Sequence, residues 1–172
     1  NQLVEGTGLV NESNIRRVDL VTGKVLQQVN NEKDIFGEGI TILNGKLFQL
    51  TWKNEKAFVY DAKSLKLLQE FPLKTKEGWG ITNNGSELII GDGSSNLYFL
   101  DPNTFTETKR IGVYDQMGPK GNINELEYID GFIYANVWQT DNIVKINPES
   151  GKIVGIANFS ELRNSAGIAA FT

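Results

Sequence analysis

Four times along this chain a short apolar run ends in Asp or Asn and passes at once into a tight polar turn. The turns are Asp19-Leu20-Val21-Thr22-Gly23-Lys24, Asp61-Ala62-Lys63-Ser64, Asp101-Pro102-Asn103-Thr104 and Asn147-Pro148-Glu149-Ser150-Gly151-Lys152. Their openings lie 42, 40 and 46 residues apart. Asp and Asn open such turns because a short side-chain oxygen reaches the backbone N–H groups just ahead of it. A second series falls between them: Asn44-Gly45, Asn84-Gly85 and Asp130-Gly131, dipeptides suited to type I′ hairpins, where both central residues need positive φ. The two series keep step. Seven residues separate Gly45 from Trp52, Gly85 from Asp92 and Gly131 from Trp138, and nine more lead to Asp61, Asp101 and Asn147.

Between the turns run segments rich in β-branched and aromatic residues, such as Leu47-Phe48-Gln49-Leu50-Thr51-Trp52 and Phe132-Ile133-Tyr134-Ala135-Asn136-Val137-Trp138. Each repeat therefore reads as a four-stranded antiparallel meander. A long-range period of this size calls for stacked or radial β-units, and a β-propeller satisfies it best. A β-sandwich would space its strands evenly without so regular a repeat, and a β-helix would use shorter coils. Residues 1–30 supply only the later strands of one repeat, whereas Ala166-Gly167-Ile168-Ala169 reads like the opening of another, by analogy with Glu38-Gly39-Ile40-Thr41 and Trp79-Gly80-Ile81-Thr82. The expectation is a single propeller domain over residues 1–172, about four blades of a five-bladed ring, lacking its first strand and its closing segment.

Composition narrows the chemistry. The chain has no His and no Cys, which removes Ser-His-Asp and Cys-His nucleophiles, His- or Cys-bound zinc, haem, iron–sulfur clusters and disulfides. A net charge of −4 with scattered Lys and Arg argues against nucleic acid and anionic membranes as partners. No metal ligand set stands out. Asp92-Gly93-Ser94-Ser95-Asn96 carries only part of a Ca²⁺-loop pattern and reads as a hairpin turn.

In a propeller the first strand of each blade lines the central channel, so residues just before those strands become neighbours. Here they are Phe36-Gly37-Glu38, Glu77-Gly78-Trp79 and Asn122-Ile123-Asn124-Glu125. Second-strand ends at Trp52, Asp92 and Trp138 return to the same face. The expected result is a funnel holding Glu38, Trp52, Trp79, Asn124 and Trp138, which gathers all three tryptophans of the chain. The bland readings are blade-packing aromatics, a solvated Glu38, and an Asn124 that caps a turn.

These same residues carry a family likeness. Phe36-Gly37-Glu38-Gly39-Ile40-Thr41, Gln49-Leu50-Thr51-Trp52-Lys53, Glu77-Gly78-Trp79-Gly80, Asp92-Gly93-Ser94-Ser95, Asn124-Glu125-Leu126-Glu127-Tyr128 and Ala135-Asn136-Val137-Trp138-Gln139-Thr140-Asp141 resemble the plant and bacterial type of glutaminyl-peptide cyclotransferase, from about Glu5 to Leu162. The resemblance implies a five-bladed β-propeller that cyclises the N-terminal Gln of a peptide or protein to pyroglutamate and releases ammonia, with no metal and no cofactor. It implies Glu38 as proton carrier, with Phe36, Trp52, Trp79 and Trp138 as pocket walls and Asn124 as hydrogen-bond partner of the substrate carboxamide. Gln49, Glu125 and Gln139 would orient that first group. It further implies a monomer outside the cytosol, in a bacterial periplasm or a plant secretory pathway. The family's Phe-Thr-Gln-Gly type opening motif would precede Asn1, and its Gly-Lys segment would follow Thr172. Two other readings stand beside it: a non-catalytic propeller binding a peptide or partner protein in the same funnel, and a propeller metal hydrolase.

Overall fold

The fold is taken from a computed structural model that describes residues 1–168. The chain divides into two compact units, Asn1–Ile81 and Thr82–Thr172. The first unit holds strands β1 (Gln2–Thr7), β2 (Asn14–Asp19) and β3 (Val25–Asn30), which form a three-stranded antiparallel sheet. It also holds β4 (Gly37–Leu43), β5 (Lys46–Thr51), β6 (Lys56–Asp61) and β7 (Leu67–Pro72), a four-stranded meander. The next meander comprises β8 (Ile81–Asn83), β9 (Leu88–Gly91), β10 (Asn96–Leu100) and β11 (Glu107–Gly112), and all of it but Ile81 belongs to the second unit. A small ribbon, β12 (Tyr114–Asp115) with β13 (Gly118–Pro119), comes next and lengthens the third repeat spacing. The last meander comprises β14 (Ile123–Ile129), β15 (Phe132–Val137), β16 (Asn142–Ile146) and β17 (Ile153–Asn158), and helix α1 (Ser160–Ser165) follows it.

The expected turn chemistry is realised in all four sheets. Asp19 Oδ1 accepts from the backbone N–H groups of Val21 and Thr22 and from the Thr22 hydroxyl. Asp61 does the same for Ser64, Asp101 for Asn103 and Thr104, and Asn147 for Glu149 and Ser150. Four residues past each opening the backbone turns left-handed, at Gly23 (φ 70°), Leu65 (φ 55°), Phe105 (φ 56°) and Gly151 (φ 75°). Glycine takes that conformation freely. Leu65 and Phe105 are held in it because their side chains are buried. A register shift falls just before each opening, at Arg17/Val18, Val59/Tyr60, Phe99/Leu100 and Lys145/Ile146.

The inner hairpins follow the expected chemistry less uniformly. Asn44-Gly45 and Asp130-Gly131 both have positive φ at their two residues, as type I′ requires. At Asn84-Gly85 only the glycine does. Asn84 Oδ1 there accepts from the N–H groups of Ser86 and Glu87, so a side-chain turn over Asn84–Glu87 displaces the two-residue hairpin. The C-terminal expectation also needs correction. Ala166 caps α1 and Gly167 has φ 67°, so residues 166–168 end a helix instead of opening a strand, and Ala169 lies outside the described residues.

Each unit has its own apolar core. In the first, Ile15, Ile35, Leu47, Phe58, Tyr60 and Leu65 pack together with Val4, Val29 and Ile40. In the second, Ile89, Leu97 and Phe99 meet Ile123, Leu126, Ile133, Val137 and Val144. Full burial of one such side chain stabilises by about 1.5–3 kcal/mol. Polar ties accompany the packing. Arg17 Nη2 donates to the carbonyl of Ala62 at 2.5 Å, and Lys109 Nζ meets Glu149 at 2.9 Å.

Two tests of this framework follow from the turns. A Cβ on Gly151 would collide with the carbonyl of Gly112, whereas one on Gly23 meets open space. Gly23→Ala is expected to cost only the left-handed penalty of about 1–2 kcal/mol in urea unfolding, and Gly151→Ala clearly more. The second test is electrostatic. The carboxyls of Asp19, Asp61 and Asp101 are held below the ordinary value, chiefly by the N–H of Thr22, by the Ser64 hydroxyl and by the N–H of Asn103 respectively. A carboxyl whose pKa is depressed by folding stabilises above its unfolded value and loses that contribution as pH falls through the folded value. The triple variant D19N/D61N/D101N keeps the acceptor oxygens, so its melting temperature should fall less than the parent's between about pH 5 and pH 2.

Candidate functional site

Glu38 lies on β4 where the ladder to β5 is broken: Gly37 pairs with Thr51, then the register shifts before Ile40 pairs with Gln49. The bulge places Glu38 and Gly39 outside regular pairing. Gly39 N–H donates instead to the carbonyl of Trp79 at 3.0 Å, and Trp52 N–H donates to the carbonyl of Phe36 at 3.0 Å. Phe36 and Trp52 meet edge to face, with ring centroids 5.4 Å apart at 61°. Glu38, Phe36, Trp52 and Trp79 are each half-buried. The segments carrying these four residues, which the sequence reading grouped together, thus converge at one end of the β4–β5 hairpin.

A fifth residue organises them. Glu77 Oε2 accepts from both indole N–H groups, Trp52 Nε1 and Trp79 Nε1, each at 2.9 Å. Its other oxygen faces Lys53 Nζ at 3.6 Å, and that ammonium lies 4.0 Å from the Trp52 ring centroid. The indole of Trp79 above all, then that of Trp52 and the charge of Lys53, hold the Glu77 carboxyl below its ordinary value against the opposing effect of desolvation. Sequence reasoning placed Glu77 among the residues before a first strand but gave it no role. Its partners are 2 and 25 residues away, and no spacing rule links them.

Gly78 explains how the segment fits. Its N–H bonds the carbonyls of Thr51 and Trp52, and a Cβ there would lie 2.8 Å from the carbonyl oxygen of Thr51. Only glycine lets the chain between Glu77 and Trp79 approach β5 this closely.

The second unit repeats the backbone device with other side chains. Ile123 pairs with Val137, the register shifts before Leu126, and Trp138 N–H donates to the carbonyl of Asn122 at 2.8 Å. Asn124 and Trp138 therefore occupy positions equivalent to Glu38 and Trp52. Asn124 sits within β14, so it is not the turn cap that the simpler reading allowed, while Trp138 is exposed at the end of β15.

Three secondary candidates sit elsewhere. Gln49 is fully buried, where its Oε1 accepts from Asn31 Nδ2 at 2.8 Å and from the Tyr60 hydroxyl at 3.3 Å. Desolvation in this core pushes the Tyr60 hydroxyl up to about 12. Gln139 is an exposed left-handed residue in the turn after Trp138. Glu125, exposed at its rim, lines a cavity of about 330 Å³ in the β14–β15 face with Glu127, Ile129, Tyr134 and Ile143. Asp92 forms the expected hairpin turn, its Oδ1 accepting from Ser94 and its Oδ2 from the Tyr98 hydroxyl at 2.8 Å. Among the described residues no three acidic side chains gather as a metal site, and no helix is long and apolar enough to cross a membrane.

Comparison with known proteins settles the kinship. The family model for glutamine cyclotransferase matches residues 1–170. This chain belongs to the glutamine cyclotransferase family. It is 40% identical over 160 residues to a glutaminyl-peptide cyclotransferase of Arabidopsis thaliana, covering 93% of this chain and 50% of that protein. The chain thus spans about half the length of that curated relative. Among solved structures it resembles the glutaminyl cyclase of Myxococcus xanthus, with a TM-score of 0.85, 27% identity, and 98% of this chain matched to 77% of the other. A weaker likeness to the hydrazine synthase of Kuenenia stuttgartiensis, with a TM-score of 0.57 at 16% identity, concerns the fold alone. The fold is all-β and β-propeller-like, with one three-stranded and three four-stranded antiparallel sheets, besides the small ribbon, among the described residues.

Glu125 gives this region a measurable signature. Desolvation by the surrounding atoms, then repulsion from Glu127, push its carboxyl up to about 7 even though the residue touches solvent. A carboxyl raised by folding is disfavoured in its ionised form, so it costs stability above its unfolded value of about 4.3, and the cost is complete above the folded value. Glu125→Gln removes that cost. The variant should gain melting temperature over the parent as pH rises from about 4 to about 8, with the gain levelling off at the top of the range.

Proposed function

We propose that the protein of which this chain is part cyclises N-terminal Gln of peptides or proteins to pyroglutamate, with release of ammonia. Membership of the family and the 40% identity to a glutaminyl-peptide cyclotransferase support the reaction class. The observation that carries the site is the convergence of the Phe36, Glu38, Trp52 and Trp79 segments at one hairpin end. A carboxylate in a strand bulge beside three aromatic residues suits a reaction that needs one mobile proton and little water.

In the proposed reaction the neutral α-amine attacks its own γ-carboxamide carbon. A C–N bond forms to close the lactam, and the bond to the amide nitrogen breaks. With an amine pKa of about 7.7–8.0, a useful fraction of substrate is neutral near pH 7. Glu38 takes the proton from the attacking amine and passes it to the departing nitrogen, which leaves as ammonia. Phe36, Trp52 and Trp79 select the folded-back substrate conformer and exclude water. Asn124 and Trp138 come into the proposal through the family resemblance, Asn124 as the hydrogen-bond partner of the carboxamide and Trp138 as a further wall. The same resemblance supports a metal-independent enzyme outside the cytosol, acting as a monomeric, single-domain, five-bladed propeller. The competing reading is a propeller that binds a peptide end without chemistry.

The experiment is ammonia release from a Gln-initiated dipeptide by the full-length gene product and its Glu38→Gln variant, with metal chelator present. A loss of at least ~100-fold in the variant is expected for a proton carrier. No release by the folded parent would overturn the enzymatic reading and leave peptide binding.

A further inference from the structure

We infer that Glu77 is the positioning residue of the aromatic cluster: a single carboxylate oxygen that fixes the orientation of two tryptophan faces at once. The inference deepens the proposed function and rests on Trp52 and Trp79 serving as walls of its pocket.

The geometry is specific. An indole has one polar hydrogen and its ring otherwise turns about two side-chain bonds, so anchoring Nε1 determines which face it presents. Trp52 and Trp79 both place that hydrogen on Glu77 Oε2, each at 2.9 Å. Two donors on one oxygen bring the two rings to a common origin. Trp52 is constrained from further sides, with the Phe36 ring edge to face at a centroid separation of 5.4 Å and the Lys53 ammonium 4.0 Å from the Trp52 ring centroid. Lys53 also reaches Glu77 Oε1 at 3.6 Å, so the cation meets both the anchor and the ring it anchors. The anchor itself is fixed by its backbone, because the N–H of Gly78 is tied to the carbonyls of Thr51 at 3.0 Å and Trp52 at 3.1 Å.

A carboxylate is the fitting group for this task. Its oxygen accepts two N–H bonds while the second oxygen meets a cation, and ionised acceptors make the stronger hydrogen bonds. Glutamine at this position would keep an oxygen able to accept both indoles and would lose only the pairing with Lys53. Leucine would keep the volume and lose both anchors. That difference separates a positioning role from simple space filling.

The test uses the full-length gene product with Glu77→Leu and Glu77→Gln. Two of the three tryptophans of this chain bond Glu77, so the near-ultraviolet circular dichroism difference between each variant and the parent reads their order. Glu77→Leu is expected to lose most of the tryptophan fine structure and to lower kcat for a Gln-initiated dipeptide by ~10-fold or more, as misaligned pocket walls do. Glu77→Gln is expected to restore the fine structure and most of kcat. A Glu77→Leu spectrum that superimposes on the parent's overturns the inference, and so does a Glu77→Gln variant as impaired as Glu77→Leu. A folded parent that releases no ammonia would sink the cyclase reading, yet the spectra would still decide whether Glu77 orders the indoles.

Discussion

The oxygen at Asp19, Asp61, Asp101 and Asn147 sets the register on which each sheet depends. It gathers the N–H and hydroxyl groups two and three residues ahead, the next residue turns left-handed, and the following strand restarts at a fixed point. Strand side chains alternate between faces, so a slip of one residue would turn every buried side chain of the outgoing strand outward. Leu65 and Phe105 show how tightly turn and core are coupled. Each accepts an unfavourable backbone conformation while its side chain is buried. Asn147 supplies the same acceptor without charge, so the device depends on the oxygen and not on ionisation.

With the outer turns fixed, the opposite ends of the inner hairpins are free to vary. The two bulges, between Gly37 and Ile40 and between Ile123 and Leu126, take the same place in their sheets but present Glu38 in one and Asn124 in the other. A repeated backbone thus offers equivalent positions, and individual side chains differentiate them. Function resides in such departures from the repeat and not in the fold itself.

Much of this was legible in the sequence because it is local. The four outer turns, the Asn44-Gly45 and Asp130-Gly131 hairpins and the four-stranded meanders all follow from contacts within a few residues. Asn84-Gly85 misled because its side chain offered the backbone a competing turn that the dipeptide alone does not reveal. Helix α1 was missed because the later Ala166-Gly167-Ile168 mimics the glycine-containing openings of β4 and β8. Glu161 in its first turn and Arg163 in its last, the latter paired with Asp141 at 2.7 Å, were the signals available. Gln49 lay within a family-like motif, but its place among Asn31 and Tyr60 depends on strand packing that no motif records. Glu77 is the fullest case. Its role arises from two indoles and a lysine brought together by tertiary structure.

The environment of Glu77 also bears on which carboxylate can move a proton. Two acidic residues, Glu38 and Glu77, lie on the segments that carry Phe36, Trp52 and Trp79. Glu77 accepts two indole N–H bonds and faces Lys53, and these hold its carboxyl below the ordinary range. Protonating it would break both indole bonds and strand the lysine, so near neutral pH it stays ionised and serves as a fixed acceptor. A proton carrier must instead exchange its proton at little cost in each cycle. Where two carboxylates share a site, divergent surroundings divide the work between them. In the proposed cyclisation that division gives Glu77 the orientation of the aromatic walls and Glu38 the transfer of the proton.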